Sequence, residues 1–177
     1  MATIVLVPNA DVSNDWTLSA ATDVYDLLND TAVTLGADSS YLSSTSAGSQ
    51  CVVDLQNFTE AYSAINSVTL TTVSGNTGRG ESHTLGTKLT STSGDYYTES
   101  SGNIPAHRTD YVIKNYTSRT TTDGSTAWNN TTVDGLRIRV SLDAHSGGTT
   151  QFTYCYVTVD YDLPVATDNS ILFGTNF

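Results

Sequence analysis

Near its C-terminal end the chain alternates: Leu136, Ile138, Val140 and Leu142 are apolar, while Arg137, Arg139, Ser141 and Asp143 between them are polar or charged. A period of two puts one set on each face of an extended strand, so this run predicts a half-buried strand with a basic solvent side. "QFTYCYVTVDYDL" predicts another. There Cys155, Val157, Val159, Tyr161 and Leu163 share one face; Phe152, Tyr154, Tyr156, Thr158, Asp160 and Asp162 share the other. The second face starts aromatic and ends acidic, which predicts a loop or neighbour over one end of it.

Weaker strand patterns occur at 3–7, 40–44, 51–55, 65–73, 82–90 and 110–117. Short helical turns are predicted at "TDVYDLL", where Val24, Leu27 and Leu28 share a face, and at "TEAYSAI" (59–65), each opened by a Thr or Asp suited to capping. Loops rich in Ser, Thr, Gly and Asn separate these runs, and no long helices alternate with them. The pattern predicts an all-β fold, an antiparallel β-sandwich of jelly-roll type with one or two helical turns. The sandwich is expected over residues 1–163. From Pro164 on, fourteen residues (164–177) form a C-terminal arm carrying Ile171, Leu172, Phe173 and Phe177. Large apolar groups in a terminal segment need a surface to cover. That surface is either the same sandwich or a partner subunit, reached by strand addition or by filling a groove.

Composition agrees with the strands. Charged residues are 14% of the chain, and Ser and Thr dominate the polar positions. Threonine is β-branched and suits a pleated, half-buried surface. A single domain of 177 residues buries enough surface to fold without disulfide or metal staples. Cys51 and Cys155 lie in strand-like runs and read best as buried free thiols, with a disulfide as the alternative. The net charge of −11 argues against nucleic acid, whose phosphates need a basic groove, and suits either solubility or a basic protein partner. The N-terminal "MATIVLVPNA" has no basic leader and no run is long enough to span a bilayer, so a soluble protein made in a cytoplasm is expected.

Candidate chemistry is sparse. Glu60, Glu81 and Glu99 share no strand face with another acid, and His83, His107 and His145 stand in separate segments without a triad pattern. "SGNTGRG" lacks the Lys-Ser/Thr of a phosphate loop. In the stretch read as the first long loop, Asp11, Ser13 and Asp15 match the first three ligands of a helix–loop–helix calcium site. Trp16 and Thr22 then stand where that site needs Gly and Glu. No catalytic residue, metal ligand or cofactor is therefore assigned, and no enzymatic activity is expected. Trp16 and Trp128 read as plugs at the ends of the sandwich, each removing a large apolar area from water. Tyr96 and Tyr97, inside the polar "STSGDYYTESSGN", are expected to be an exposed aromatic contact, suited to a sugar ring.

The succession "PNADVSNDW", "VYDLLND", "DSSYLSS", "VVDLQNF", "INSVTLTTV", "STAWNNTTVDGLRIRVSL" and "YVTVDYDLP" resembles jelly-roll structural proteins of tailed phages, especially marine and cyanobacterial phages. The likeness covers residues 8–163 and rests on segment order and spacing. It implies a virion protein, a capsid cement or decoration protein made in the host cytoplasm and placed on the capsid exterior. Its partners would be the major capsid protein or other virion proteins, and it would be a homo-oligomer, with a trimer the natural count on a shell rich in threefold positions. The alternatives are a carbohydrate- or receptor-binding module of a fibre or spike, and a neck or tail component. The resemblance locates no interface residue, and the arm lies outside it.

Overall fold

The computed structural model describes residues 1–19, 23–29, 40–77, 82–91, 94–102, 104–105 and 111–165. Along the chain run β1 (Ala2–Leu6), β2 (Pro8–Asn14), β3 (Thr17–Leu18), α1 (Val24–Leu28), β4 (Leu42–Ser44), β5 (Gln50–Leu55) and β6 (Ala64–Asn76). They are followed by β7 (Ser82–Ser91), β8 (Gly94–Ser100), β9 (Ile104–Pro105), β10 (Val112–Asn115), α2 (Asn130–Asp134), β11 (Arg137–His145) and β12 (Thr150–Asp162).

The strands form two antiparallel six-stranded sheets. One has the order β10-β6-β12-β4-β3, with β1 also on β12; the other has β2-β5-β11-β7-β8, with β9 on β7. Successive long strands cross from sheet to sheet, as a jelly roll requires: β1 to β2, β4 to β5, β5 to β6, β6 to β7, β10 to β11 and β11 to β12. The axis of the first sheet is the 13-residue pair β6–β12; that of the second is β11, flanked by β5 and β7.

Alternation decides what lies between the sheets. Ile138, Val140 and Leu142 of β11, Cys51, Val53 and Leu55 of β5, and Leu85 and Leu89 of β7 face Leu6, Val68, Leu70, Cys155, Val157 and Val159 of the first sheet. Each such aliphatic side chain taken from water contributes roughly 1.5–3 kcal/mol. Trp16, Leu42 and α1 (Val24, Leu27, Leu28) extend this core, as do Trp128, Val133 and Leu136. Both tryptophans are 4% exposed, the plugs the sequence predicted.

Four expectations are corrected. The stretch 8–14 is not a loop but strand β2, paired with β5 through two irregularities of register. Residues 59–65 form no helix: Phe58 and Tyr62 pack edge to face, and Ala64 and Ile65 already belong to β6. The Phe58 N–H donates to Asp134 Oδ1 (2.8 Å) and the Asn130 N–H to the Tyr62 hydroxyl (2.9 Å), which ties this segment to α2 instead. Phe152 points into the core and not outward with Tyr154, because a bulge at Thr153 resets the alternation. Leu163 lies past the end of β12 and is 57% exposed.

Candidate functional site

The bulge gives the first sheet an aromatic outer face. Past it, Tyr154 and Tyr156 project outward together with ring centroids 5.0 Å apart. Register places Val73 of β6 beside Tyr154 and Ile113 of β10 beside Val73; on the other flank Val5 of β1 lies beside Thr158. With Val7 and Gln56 these residues line an open groove of about 590 Å³. Val5 is 44% and Ile113 51% exposed and Tyr156 is half-buried, while Val73 and Tyr154 are buried beneath them, so the groove presents mainly aliphatic surface to water. Towards the end of β12 the face turns polar. Asp160 accepts hydrogen bonds from Thr3 Oγ1 (2.8 Å) and Ser67 Oγ (3.0 Å), and Asp162 lies 3.6 Å from the N-terminal ammonium. The aromatic-to-acidic gradient read along this strand is therefore present, starting at Tyr154.

The second sheet's outer face is different. Arg137 pairs with Asp54, Arg139 Nε donates to Gln50 Oε1 (2.8 Å), and Lys88 is the cross-strand neighbour of Arg139. Three of the chain's seven Lys and Arg residues thus share this face of an acidic protein. Arg137 and Arg139 line a shallow cleft of about 330 Å³ with Ser13, Gln50, Thr90 and Ser91. Beside it Gly86 lies against the Asp143 carboxylate, where a Cβ would overlap, and Ser141 Oγ donates to Asp143 Oδ1 (2.6 Å).

Tyr96 and Tyr97 are not an exposed pair. Both sit on β8, half-buried, around Trp128: the Tyr96 ring meets it edge to face at 5.5 Å and Tyr97 lies tilted at 6.4 Å. The Tyr97 hydroxyl donates to the Thr121 carbonyl, and the Arg119 guanidinium lies 4.4 Å from its ring centre. Arg119 also pairs with Glu99, and its carbonyl accepts the Trp128 indole N–H (3.0 Å). The cluster packs both rings against Trp128 and sets the Arg119 guanidinium against the Tyr97 ring, so the pair is a half-buried packing element. Ile171, Leu172, Phe173 and Phe177 lie outside the described residues.

Asp11 has a local task. Its carboxylate accepts the backbone N–H groups of Val24 (2.8 Å) and Tyr25 (2.7 Å), so a strand residue caps α1, whose own N-cap Asp23 makes no side-chain cap bond. Among the described residues no group of three or more His, Cys, Asp or Glu could hold a metal ion, and no helix is long and apolar enough to cross a membrane.

Buried titratable groups lie between the sheets. Cys51 and Cys155 are free; burial pushes the Cys51 thiol up to about 12, and burial with Cys51 nearby holds Cys155 well above the usual range. His83 is held down to about 4, first by burial and then by the nearby His145. At the surface, hydrogen bonds from Thr126 and Ser125 hold Asp123 down at about 2.

No protein-family model matches the chain, and no curated protein matches it. Among solved structures the chain is similar to a truncated AlyQ with CBM32 and alginate lyase domains, at 11% identity and a TM-score of 0.47, over 92% of this chain and 34% of that one. It is also similar to the C-terminal CBM6 of LamC, a marine laminarinase from Zobellia galactanivorans (7% identity, TM-score 0.46, 89% of this chain and 98% of that one). A third is the Stig cyclase Fisc from Fischerella sp. TAU (14%, 0.45, 91% and 100%). No residue role is carried over to this chain from any of them.

Proposed function

We propose that this chain works by docking and not by catalysis, as a structural protein of a virion that decorates or cements the capsid exterior. The observation that supports docking is the groove of the first sheet. Val5 and Ile113, with the half-buried Tyr156, expose apolar surface over the buried Val73 and Tyr154, on an outer face where most strands of the chain place Ser, Thr or acids. Such a patch suits apolar side chains of a protein partner better than a sugar, because Gln56 is its one amide and carboxylates stand only at its far end. The net charge of −11 favours a partner with a basic rim and disfavours the genome. The virion setting comes from the resemblance in segment order.

The test is co-sedimentation with expanded, DNA-free shells. Ile113→Lys and Tyr156→Lys each place a charge in the groove and are expected to weaken binding at least about tenfold, the scale of one desolvated charge at an interface. Thr98→Lys, on the opposite sheet, is expected to bind as wild type. Wild-type binding by both groove variants would sink the docking reading.

A second reading, a carbohydrate- or receptor-binding module, is favoured by the Arg137–Arg139 cleft. Its guanidinium, amide and hydroxyl groups suit a ligand bearing hydroxyls and negative charge. Saturable binding on a glycan array that is lost in Arg139→Ala would support it, and a blank array would remove it.

A further inference from the structure

We propose that the outer face of the second sheet binds an acidic glycan, a chain with a carboxylate or sulfate on its sugar rings, laid across the strands with that anion on Arg139. The inference rests on the carbohydrate-binding reading of the Arg137–Arg139 cleft and supplies its ligand class and its deciding residue.

The state of Arg139 carries the argument. Among the described residues, the guanidinium of Arg119 pairs with Glu99 and that of Arg137 with Asp54. Arg139 has no carboxylate partner among them: its Nε donates to the neutral Gln50 Oε1 (2.8 Å), and its two Nη groups meet no acceptor there. The side chain is half-buried and stands on β11, the middle strand of its sheet. A guanidinium held by one amide keeps its remaining N–H donors in a fixed plane, the form in which arginine recognises an oxyanion. The net charge of −11 opposes an anion at long range. Screening confines that repulsion to about 8 Å at physiological salt, so the groups lining the site decide.

Register gives the site its length and its mixture of groups. Ser13, Val52, Arg139, Lys88 and Thr98 are successive cross-strand neighbours on β2, β5, β11, β7 and β8. At about 4.8 Å per strand, this row runs about 19 Å across the sheet. Arg139 stands in its middle and lines two clefts: the one of about 330 Å³, with Gln50 and Thr90, and a smaller one of about 100 Å³, with Lys88, Thr98, Ser141 and Asp143. The first offers amide and hydroxyl groups beside two guanidinium groups. The second offers hydroxyls and the Asp143 carboxylate, which accepts from sugar hydroxyls and repels a second anion. A ligand with one acid and several hydroxyls per unit fits both. An acidic peptide fits less well, because Val52 is the one apolar side chain lining either cleft and no pocket takes a buried anchor.

Isothermal titration of the full-length chain with matched oligosaccharides tests this. Oligogalacturonate against its methyl ester probes the carboxylate, and κ-carrageenan oligosaccharide against its desulfated form probes the sulfate. The acidic member of at least one pair is expected to bind at least about tenfold more tightly, the scale of one charge-assisted pair. Arg139→Gln should erase that preference, and Arg139→Lys, which keeps the charge without the fork, should restore part of it. Both variants are checked by urea unfolding, and the comparison within each pair uses the wild-type chain alone. Equal affinity within both pairs would overturn the proposal and leave the carbohydrate reading standing. No binding to any of the four, together with a blank glycan array, would remove both. An acidic preference that survives in Arg139→Gln would also overturn it, and so would equally tight binding of polyglutamate, which assigns the face to an acidic peptide.

Discussion

Acidifying this protein from pH 7 to 4.5 is expected to weaken it through one side chain, His83. The ring lies between the sheets, 1% exposed. Its Nε2 is 3.1 Å from Ser74 Oγ of β6, and its Nδ1 has no hydrogen-bond partner among the described residues. A second proton would put a charge into this space with no acceptor for the new N–H, next to His145, its cross-strand neighbour. The folded imidazole therefore titrates at about 4, against about 6.5 in the unfolded chain.

The sign follows from which state binds the proton. Above pH 6.5 both states are neutral and His83 contributes no slope. Between 6.5 and 4 the unfolded chain takes up a proton that the folded chain refuses, so stability falls as pH falls. By pH 4.5 the loss is roughly 2–3 kcal/mol, a sizeable part of the 5–15 kcal/mol typical of a domain. Asp123 acts in the same direction only below its ordinary range near 3.8, outside this window. Urea unfolding followed by Trp16 and Trp128 fluorescence at pH 7, 6, 5 and 4.5 measures the slope. His83→Gln keeps an amide for Ser74 and loses the titration, so it starts less stable and declines with a slope smaller by up to about 1.4 kcal/mol per pH unit. Parallel slopes in the two proteins, or a His83 ring titrating near 6.5 by NMR, would refute the reasoning.

Three further outcomes are expected. Asp11→Ala removes both acceptors at the start of α1 and should cost about 1–2 kcal/mol in urea unfolding, with faster amide exchange at Val24 and Tyr25. Cys51 and Cys155 should stay inert to a thiol reagent at pH 8 and both react once the protein is unfolded, since burial suppresses the thiolate. Trp128→Phe loses the indole donor to the Arg119 carbonyl and part of the packing with Tyr96 and Tyr97; a loss of about 1–3 kcal/mol is expected in the same unfolding assay.

The strands that could be read from the chain are those whose faces differ in chemistry. In β5 and β11 every second residue is buried, and the pattern shows plainly. Strand β8 was hidden because "GDYYTES" alternates nothing: its tyrosines are adjacent, and both reach the Trp128 cluster. Helix α2 was hidden in "NTTVD", poor in helix formers, and is held by a reciprocal cap in which the Thr132 N–H donates to Asn129 Oδ1 (3.1 Å) and the Asn129 N–H to Thr132 Oγ1 (2.9 Å). The spacing in "TEAYSAI" suggests a helix, but contacts to Asp134 and Asn130, far along the chain, override local preference. Long-range pairing of this kind is not written in any local window. The groove is the same case: its residues come from β1, β6, β10 and β12, and only register gathers them.

One residue connects the core to that groove. Strict alternation would put Phe152, Tyr154 and Tyr156 on a single face, so either all three would leave the core or all would enter it. Thr153 prevents this by standing as the extra residue in β12. It is wholly buried, and its hydroxyl donates to the Val73 carbonyl (3.3 Å), giving that carbonyl a partner where the ladder slips. Upstream of it Phe152 packs inward against Trp16, with ring centroids 6.2 Å apart. Downstream of it Tyr154 and Tyr156 stack outward beside Val73 and Ile113. A single inserted residue thus lets one strand supply both the plug of the sandwich and the aromatic wall of its outer groove. Such a bulge distorts the most extensive strand pair among the described residues, and a core side chain and the aromatic wall of the outer face are what that distortion places.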